Sequence, residues 1–100
     1  MAVIESWRPD FSMVRAQIHF TGTVQGVGFR YTTLSFAQGL VLTGWVKNLP
    51  NGGVEAVVEG PRAKIEELLA RLKGQFGGLI RGAHVEWGEA RGEFDKFFII

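Results

Sequence analysis

The strongest constraint on the fold is the way strand-like and helix-like hydrophobic patterns alternate along the chain. From Val14 to Phe20 every second residue is apolar, with Arg15, Gln17 and His19 between them. This alternation indicates a strand with one buried face. Further strands are predicted over Leu42 to Asn48, Val54 to Glu59, Ala83 to Trp87 and Phe97 to Ile100.

Two helices are predicted between these strands, because apolar residues recur there at spacings of three and four. The stripe of the first helix consists of Phe29, Thr33, Phe36, Ala37 and Leu40. The second helix opens at Gly60-Pro61, since proline is favoured in a first turn, and Gly74 is predicted to end it. Its stripe consists of Ile65, Leu68, Leu69 and Leu72, and a glycine-rich connection from Gln75 to Gly82 follows.

The resulting order is β-α-β-β-α-β with one extra short strand at an edge. An antiparallel sheet with one apolar face can bury both helical stripes, so we predict an α+β, ferredoxin-like split βαβ fold with both helices on one face. Asn51-Gly52 predicts the hairpin turn between the second and third strands. The domain is predicted over 13–100. Residues 1–12 form an N-terminal tail, because they lack any period and Pro9 interrupts them.

Composition excludes several classes of function. The net charge of +1 gives no strong attraction to nucleic acid or to an anionic membrane. The absence of cysteine excludes disulfides, thiolate metal sites and a cysteine nucleophile. No apolar run approaches the roughly 20 residues that span a bilayer, and no secretory signal opens the chain. We therefore expect a cytoplasmic monomer without membrane or nucleic-acid partners.

The most informative segment is the glycine-rich turn from Gly22 to Arg30, between the first strand and the first helix. It matches neither a Walker loop nor a dinucleotide fingerprint, because Phe29-Arg30 follows Gly28 and Tyr31 replaces a small residue. Its backbone can still form an anion nest at a helix start, and the Arg30 guanidinium matches a phosphate oxygen pair. Spacing alone favours a turn that uses glycine only for its dihedral angles, with Arg30 a solvated charge.

Asn48 is the second candidate, because it ends the second strand just before the hairpin. Asparagine is also a common turn-side cap, and that role stays open for this residue alone. Two candidates at the ends of neighbouring segments are more suggestive together than apart.

These two segments resemble the signatures of the acylphosphatase family. The first match is Gly22 to Arg30, and the second is Gly44-Trp45-Val46-Lys47-Asn48 with Gly52, Val54 and Gly60 at the expected offsets. The ending, with Phe94, Phe97 and Ile99, is also similar, so the resemblance covers about 14–100.

The resemblance implies that Arg30 and a set of backbone amides hold a phosphoryl group, while Asn48 positions the attacking water. The implied amides are those of Gln25, Gly26, Val27, Gly28, Phe29 and Arg30. Two positions depart from the family. Asn51 replaces a frequent aspartate, which should be neutral. Val41 replaces a frequent glycine, and a positive φ there would strain valine.

The residues also limit the reaction. The phosphate turn contains no histidine or carboxylate, arginine stays protonated, and an asparagine amide does not titrate. Such a site cannot readily protonate an alkoxide, whereas the carboxylate of an acyl phosphate departs without an acid. We therefore predict hydrolysis of acyl phosphates without cofactor or metal, with inorganic phosphate as product and inhibitor.

The main alternative is a non-catalytic ferredoxin-like module that binds an anion or other ligand. RNA binding would need exposed aromatics on the central strands, where Arg15, Gln17 and Val57 stand instead, and Glu59 would repel phosphates. A third possibility is an acylphosphatase-like domain of a larger carbamoyl-transfer system. The histidines, His19 and His84, are predicted to be solvated or surface-bonded.

Overall fold

The computed structural model describes residues 13–100, so the predicted tail lies outside the described residues. Five strands form one sheet in the order β4-β1-β3-β2-β5. In chain order, the elements are β1 (Met13–Gly22), α1 (Phe29–Gly39), β2 (Thr43–Asn48), β3 (Val54–Pro61), α2 (Arg62–Phe76), a 3₁₀ turn (Gly77–Leu79), β4 (Ile80–Glu89) and β5 (Phe97–Ile99).

The sheet is mixed, which corrects the expectation that all its strands are antiparallel. β1 pairs antiparallel with β3 and β4, and β2 pairs antiparallel with β3. The short β5 lies parallel to β2, with Phe98 beside Trp45. The physical reason is the connection after β4. It crosses from one edge of the sheet to the other, so that β5 begins at the same end as β2. The α+β ferredoxin-like architecture and the edge position of β5 are confirmed.

Both helices cover the same face of the sheet, as predicted. The inward side chains of β1 and β3 form one core with the stripes of the helices. Thr33 is buried in this core because its hydroxyl donates to the Phe29 carbonyl oxygen at 2.8 Å. In the part of the chain that the structure describes, no helix is long and apolar enough to cross a membrane.

The end of α2 differs from the prediction. The helix continues through Gly74 to Phe76, and Gly77 ends it with a φ of 53°. Phe76 is buried against the Phe29 ring, with centroids 4.9 Å apart. Glycine inside a helix costs about 1 kcal/mol, whereas burying a phenylalanine side chain contributes about 1.5–3 kcal/mol. Packing therefore outweighs the stop signal, and β4 begins within the predicted connection.

Val41 follows α1 with a φ of 56° and is 83% exposed. The N–H groups of Val41 and Leu42 donate to the carbonyl oxygens of Gln38 and Ala37, at 3.1 and 2.9 Å. This is the bond pattern of a Schellman motif, whose left-handed residue is usually glycine. The predicted condition for strain at Val41 is therefore met.

Glu59 lies on the open face of the sheet, opposite the helices, but it is only 2% exposed. Its carboxylate accepts hydrogen bonds from Arg15 at 2.9 Å and from the backbone N–H groups of Arg91 and Gly92 at 2.9 and 3.0 Å. Arg15 also pairs with Glu93 at 2.7 Å. Glu59 therefore fastens the crossing segment 90–96 and is not the exposed, repelling charge that the sequence predicts.

Two opposed effects set the pKa of the Glu59 carboxyl. Burial raises this pKa, while the hydrogen bonds from Arg91, Arg15 and Gly92 and the charge of Arg15 lower it. The hydrogen bonds and charge prevail, so the pKa lies below its usual range. For Arg15, burial lowers the pKa, but the hydrogen bonds to Glu59 and Glu93 and the charges of these residues outweigh burial. The pKa of Arg15 is therefore raised above its usual value. The pair is thus ionised at neutral pH.

Candidate active site

The glycine-rich turn has the backbone that an anion nest requires. Gly26 and Gly28 have φ values of 77° and 81°, in the left-handed region. A Cβ added at either residue would meet nothing within 4 Å, so glycine serves the dihedral angles here and the space above the turn is open. α1 begins directly after Gly28, with no side-chain cap and no acidic residue in its first turn. Its first N–H groups have no partner within the helix, and residues of this first turn line a cavity.

The start of the turn is fixed to the rest of the fold. The Thr23 N–H donates to the Leu79 carbonyl oxygen at 2.8 Å. Gly22 approaches that carbonyl so closely that a Cβ would lie 2.2 Å from the oxygen. Val24 is buried in the core beneath the turn. The start of the turn is thus fixed by Thr23 and Val24, while Gly26 and Gly28 border open space.

A cavity of about 120 Å³ lies between this turn and the end of β2. The structure brings together Arg30 and Asn48, which the sequence predicts as one site, although they belong to separate segments. The lining residues are Val24, Gly26, Gly28, Phe29, Arg30, Tyr31 and Asn48.

The Oδ1 atom of Asn48 is buried, and no group among residues 13–100 donates a hydrogen bond to it. Leaving a buried acceptor unsatisfied costs about 1–3 kcal/mol, so such atoms are rare in native proteins. Asn48 is therefore not explained as a turn cap, because a cap would use this oxygen. The atom is suited to accept a hydrogen bond from a ligand or from water.

Arg30 is half-buried and forms no ion pair with any residue of the described range. Its guanidinium charge is thus not neutralised by a described carboxylate. The residues that line the cavity therefore supply a cation, the uncapped start of a helix and an amide oxygen without a partner, which is a set that can bind an anion together with a hydroxyl donor.

The histidines stand outside this cavity. His19 and His84 are neighbours across β1 and β4 on the open face. His84 is exposed, with its Nε2 atom 3.4 Å from a Glu86 oxygen, as predicted. The Nε2 atom of His19 is buried without a partner in 13–100, because Gly53 of the hairpin turn packs over it. The prediction that His19 is solvated or surface-bonded is therefore met only in part, because the residue is partly exposed but its Nε2 atom is buried.

Three residues around the site have positions that the sequence does not reveal. Tyr31 lines the cavity and is largely exposed, while Val27 lies outside the lining. Gln25 also lies outside it, and its side chain donates to the carbonyl oxygens of Leu49 and Gly53 at 2.7 and 2.8 Å. The sequence predicts a role only for the Gln25 backbone amide, because no local pattern shows where a long amide side chain reaches.

Comparison with known proteins shows the family. The model of the family described as Acylphosphatase matches residues 16–99. The chain belongs to the acylphosphatase family. The acylphosphatase of Methanothrix thermoacetophila is 45% identical over 85 residues, which cover 84% of this chain and 93% of that protein. This acylphosphatase-family chain is accordingly an enzyme that hydrolyses acyl phosphates to a carboxylate and phosphate.

Two solved structures extend the comparison. The crystal structure of the Bacillus subtilis acylphosphatase has a TM-score of 0.81 and 31% identity, covering 87% of this chain and 98% of that chain. T. kodakarensis HypF is 33% identical with a TM-score of 0.73, but the match covers 85% of this chain and only 11% of that chain. The acylphosphatase fold thus also occurs as a small part of a larger protein.

Proposed function

We propose that Arg30 and the backbone amides of residues 25–30 hold the phosphoryl group, while Asn48 positions the attacking water. The observation that carries this proposal is the cavity lined by Arg30, Asn48 and the uncapped start of α1, together with the unpartnered Oδ1 atom of Asn48. A phosphoryl group in this cavity would have its anionic oxygens against the cation and the amides. The water would lie on the side of Asn48.

The chemistry follows from these contacts. Asn48 Oδ1 accepts a hydrogen bond from the water, whose oxygen attacks phosphorus as the bond to the acyl oxygen breaks. Arg30 and the amides stabilise charge on the phosphoryl oxygens, which is the main requirement of phosphoryl transfer. The water's proton passes to a phosphoryl oxygen of the substrate. The bonding electrons leave with the carboxylate, which needs no acid.

We also propose that the reaction needs no metal ion. Within residues 13–100, no three histidine or acidic side chains are grouped as metal ligands would be, and the sequence has no cysteine. Arg30 can supply the positive charge that a metal would otherwise provide. The protein is further proposed to act as a cytoplasmic monomer. Its net charge of +1 is in keeping with the proposed absence of nucleic-acid and membrane partners.

The decisive experiment compares benzoyl phosphate with an alkyl phosphate monoester, with and without EDTA. We expect rapid hydrolysis of benzoyl phosphate, little turnover of the monoester and no effect of EDTA. Inorganic phosphate should inhibit competitively, because it occupies the same cavity. Efficient monoester hydrolysis would disprove the absence of an acid, and loss of rate in EDTA would reveal a metal. Binding of phosphate without any turnover would favour the alternative of a binding module.

A further inference from the structure

We propose that the Gln25 side chain is a positioning residue, which sets the distance between the phosphate turn and Asn48. The inference rests on the proposed roles of that turn and of Asn48. It concerns a contact that lies outside the cavity, and it assigns to Gln25 a task separate from that of its backbone amide.

The need for such a contact follows from the strand order. The phosphate turn follows β1 and Asn48 ends β2, but β3 lies between these two strands. Strands two positions apart are separated by about 10 Å. No backbone hydrogen bond of the sheet therefore joins the two halves of the site directly, and their separation depends on groups that reach across β3.

Gln25 makes such a link with both hydrogens of its amide. Its Nε2 atom donates to the carbonyl oxygen of Leu49 at 2.7 Å and to that of Gly53 at 2.8 Å. Only the NH₂ end of the side chain can face two carbonyl oxygens, so the orientation of the amide is determined by its partners. Leu49 directly follows Asn48, so this contact acts on the backbone next to the proposed water-positioning residue.

The hairpin turn that receives these bonds is itself rigid. Leu49 N–H donates to the Gly53 carbonyl oxygen at 2.9 Å, and Gly52 N–H donates to that of Leu49 at 3.2 Å. The Asn51 side chain accepts from the Gly53 N–H at 2.9 Å. A Cβ at Gly53 would lie 2.9 Å from the Phe20 carbonyl oxygen, so the turn also packs directly on β1. Gln25 thus connects the phosphate turn to a hairpin turn that is held by its own hydrogen bonds and by packing on β1.

The first test is Gln25→Met, which keeps the length of the side chain and removes both donors. Since misplacement by about 1 Å can cost 10²-fold in rate, we expect kcat for benzoyl phosphate to fall about 10- to 100-fold. The inhibition constant of inorganic phosphate should change less than about 3-fold, because Arg30 and the amides remain. The matched control is Gln17→Met. Gln17 donates to Glu55 on the open face at 2.8 Å, and its loss should leave kcat unchanged.

A double-mutant cycle with Asn48→Ala separates positioning from general damage. If Gln25 acts through Asn48, Gln25→Met should reduce kcat far less in the Asn48→Ala background than in the wild type. Equal losses in both backgrounds, or an unchanged kcat in Gln25→Met, would overturn the inference. The proposed function fails separately if Asn48→Ala alone keeps full rate.

Gln25→Glu gives a second test that is informative even if Gln25→Met does not fold. An ionised carboxylate places acceptors against two carbonyl oxygens, whereas a protonated carboxyl donates one hydrogen bond. The kcat of this variant, divided by that of the wild type at the same pH, should therefore rise as the pH falls towards 4 to 5, near the usual pKa of about 4.3. A ratio that stays constant with pH would contradict the proposed link.

Discussion

Two buried polar groups at opposite ends of the sheet differ in their hydrogen bonding. At one end, the Glu59 carboxylate uses both oxygens, with Arg15, Arg91 and Gly92 as donors. At the other end, the Oδ1 atom of Asn48 is buried without a donor in the range that the structure describes. A buried group whose hydrogen bonds are all formed within the protein stabilises the fold. A buried group without a partner costs free energy, and a ligand that supplies the missing hydrogen bond can offset that cost. The contrast separates a structural end of the molecule from a functional one.

The largest expected effect is that of Arg30→Ala at the functional end. Removing the guanidinium leaves the phosphoryl oxygens with backbone donors alone, so kcat/KM for benzoyl phosphate should fall by about 10³-fold or more. Inorganic phosphate should also bind more weakly, while the free energy of unfolding changes little. The matched control is Arg71→Ala, since Arg71 pairs with Glu67 on the exposed surface of α2. Comparable activity of the two variants would contradict the role of Arg30.

Asn48→Ala should have the next largest effect. In its proposed role Asn48 is the acceptor for water and not a phosphate donor, so kcat should fall about 10²-fold and the inhibition constant of phosphate should hardly change. Steady-state kinetics with benzoyl phosphate measure both. Asn51→Asp, in the same turn, keeps the acceptor for Gly53 and should leave the rate close to that of the wild type. A parallel loss of phosphate affinity in Asn48→Ala would mean that this side chain holds the phosphate instead.

Glu59→Gln should show the reverse pattern, with lower stability and unchanged kcat. The NH₂ group of the new amide would face N–H donors where a carboxylate oxygen now accepts, and at least one hydrogen bond would be lost. The free energy of unfolding in urea should therefore drop by about 2 kcal/mol. Glu93→Gln alters only the exposed partner of Arg15 and should cost less than about 1 kcal/mol. If Glu59→Gln lowered kcat without loss of stability, the two ends would not be separate.

The same carboxyl predicts how stability depends on pH. Its folded pKa lies below the unfolded value of about 4.3, so its contribution is fully present above that value and is lost as the pH falls through the folded pKa. Urea unfolding of the wild type and of Glu59→Gln should therefore differ at pH 7 and converge in strong acid. A gap that widened in acid would reverse the sign of the shift.

The smallest effect is expected at Val41, which belongs to neither end. A left-handed conformation costs an L-residue about 1–2 kcal/mol, and the greater freedom of glycine in the unfolded chain offsets about 0.5–1 kcal/mol of that. Val41→Gly should therefore stabilise the protein by about 0.5 kcal/mol, measured as a shift in the urea midpoint. Val41→Asn should fall between the two, because asparagine tolerates this conformation. Destabilisation by glycine would show that the valine side chain contributes contacts.

The parts of this fold with strong local patterns are predictable from the sequence. The inward face of β1, the core stripe of α1 and the hairpin at Asn51-Gly52 follow from periodicity and turn chemistry alone. The end of α2 does not, because the contact that extends it joins Phe76 to Phe29 across the core. The parallel pairing of β5 is equally hidden, since three residues hold too little pattern to select a partner.

For the candidate site, the sequence predicts the residue types but not all of their surroundings. Arg30 and Asn48 are predicted, and the fold does bring them to one cavity. The burial of Glu59 is missed because the crossing segment that covers it is distant in the chain. The hydrogen bond from the Gln25 side chain to Leu49 is missed for the same reason. Contacts between distant segments depend on the finished topology, which local spacing does not encode.

The pairing of β1 with β3 and β4 also bears on how the chain folds. β1 precedes both of its partners, and α1 and β2 lie between it and β3. β1, an interior strand of the sheet, therefore cannot form its ladders until a long loop closes, which costs conformational entropy before any ladder contact returns it. Folds dominated by such distant pairings reach the native state in milliseconds to seconds rather than microseconds. The glycine-rich turn that is proposed to bind phosphate directly follows β1, so we expect it to reach its final geometry only when both ladders of β1 are in place.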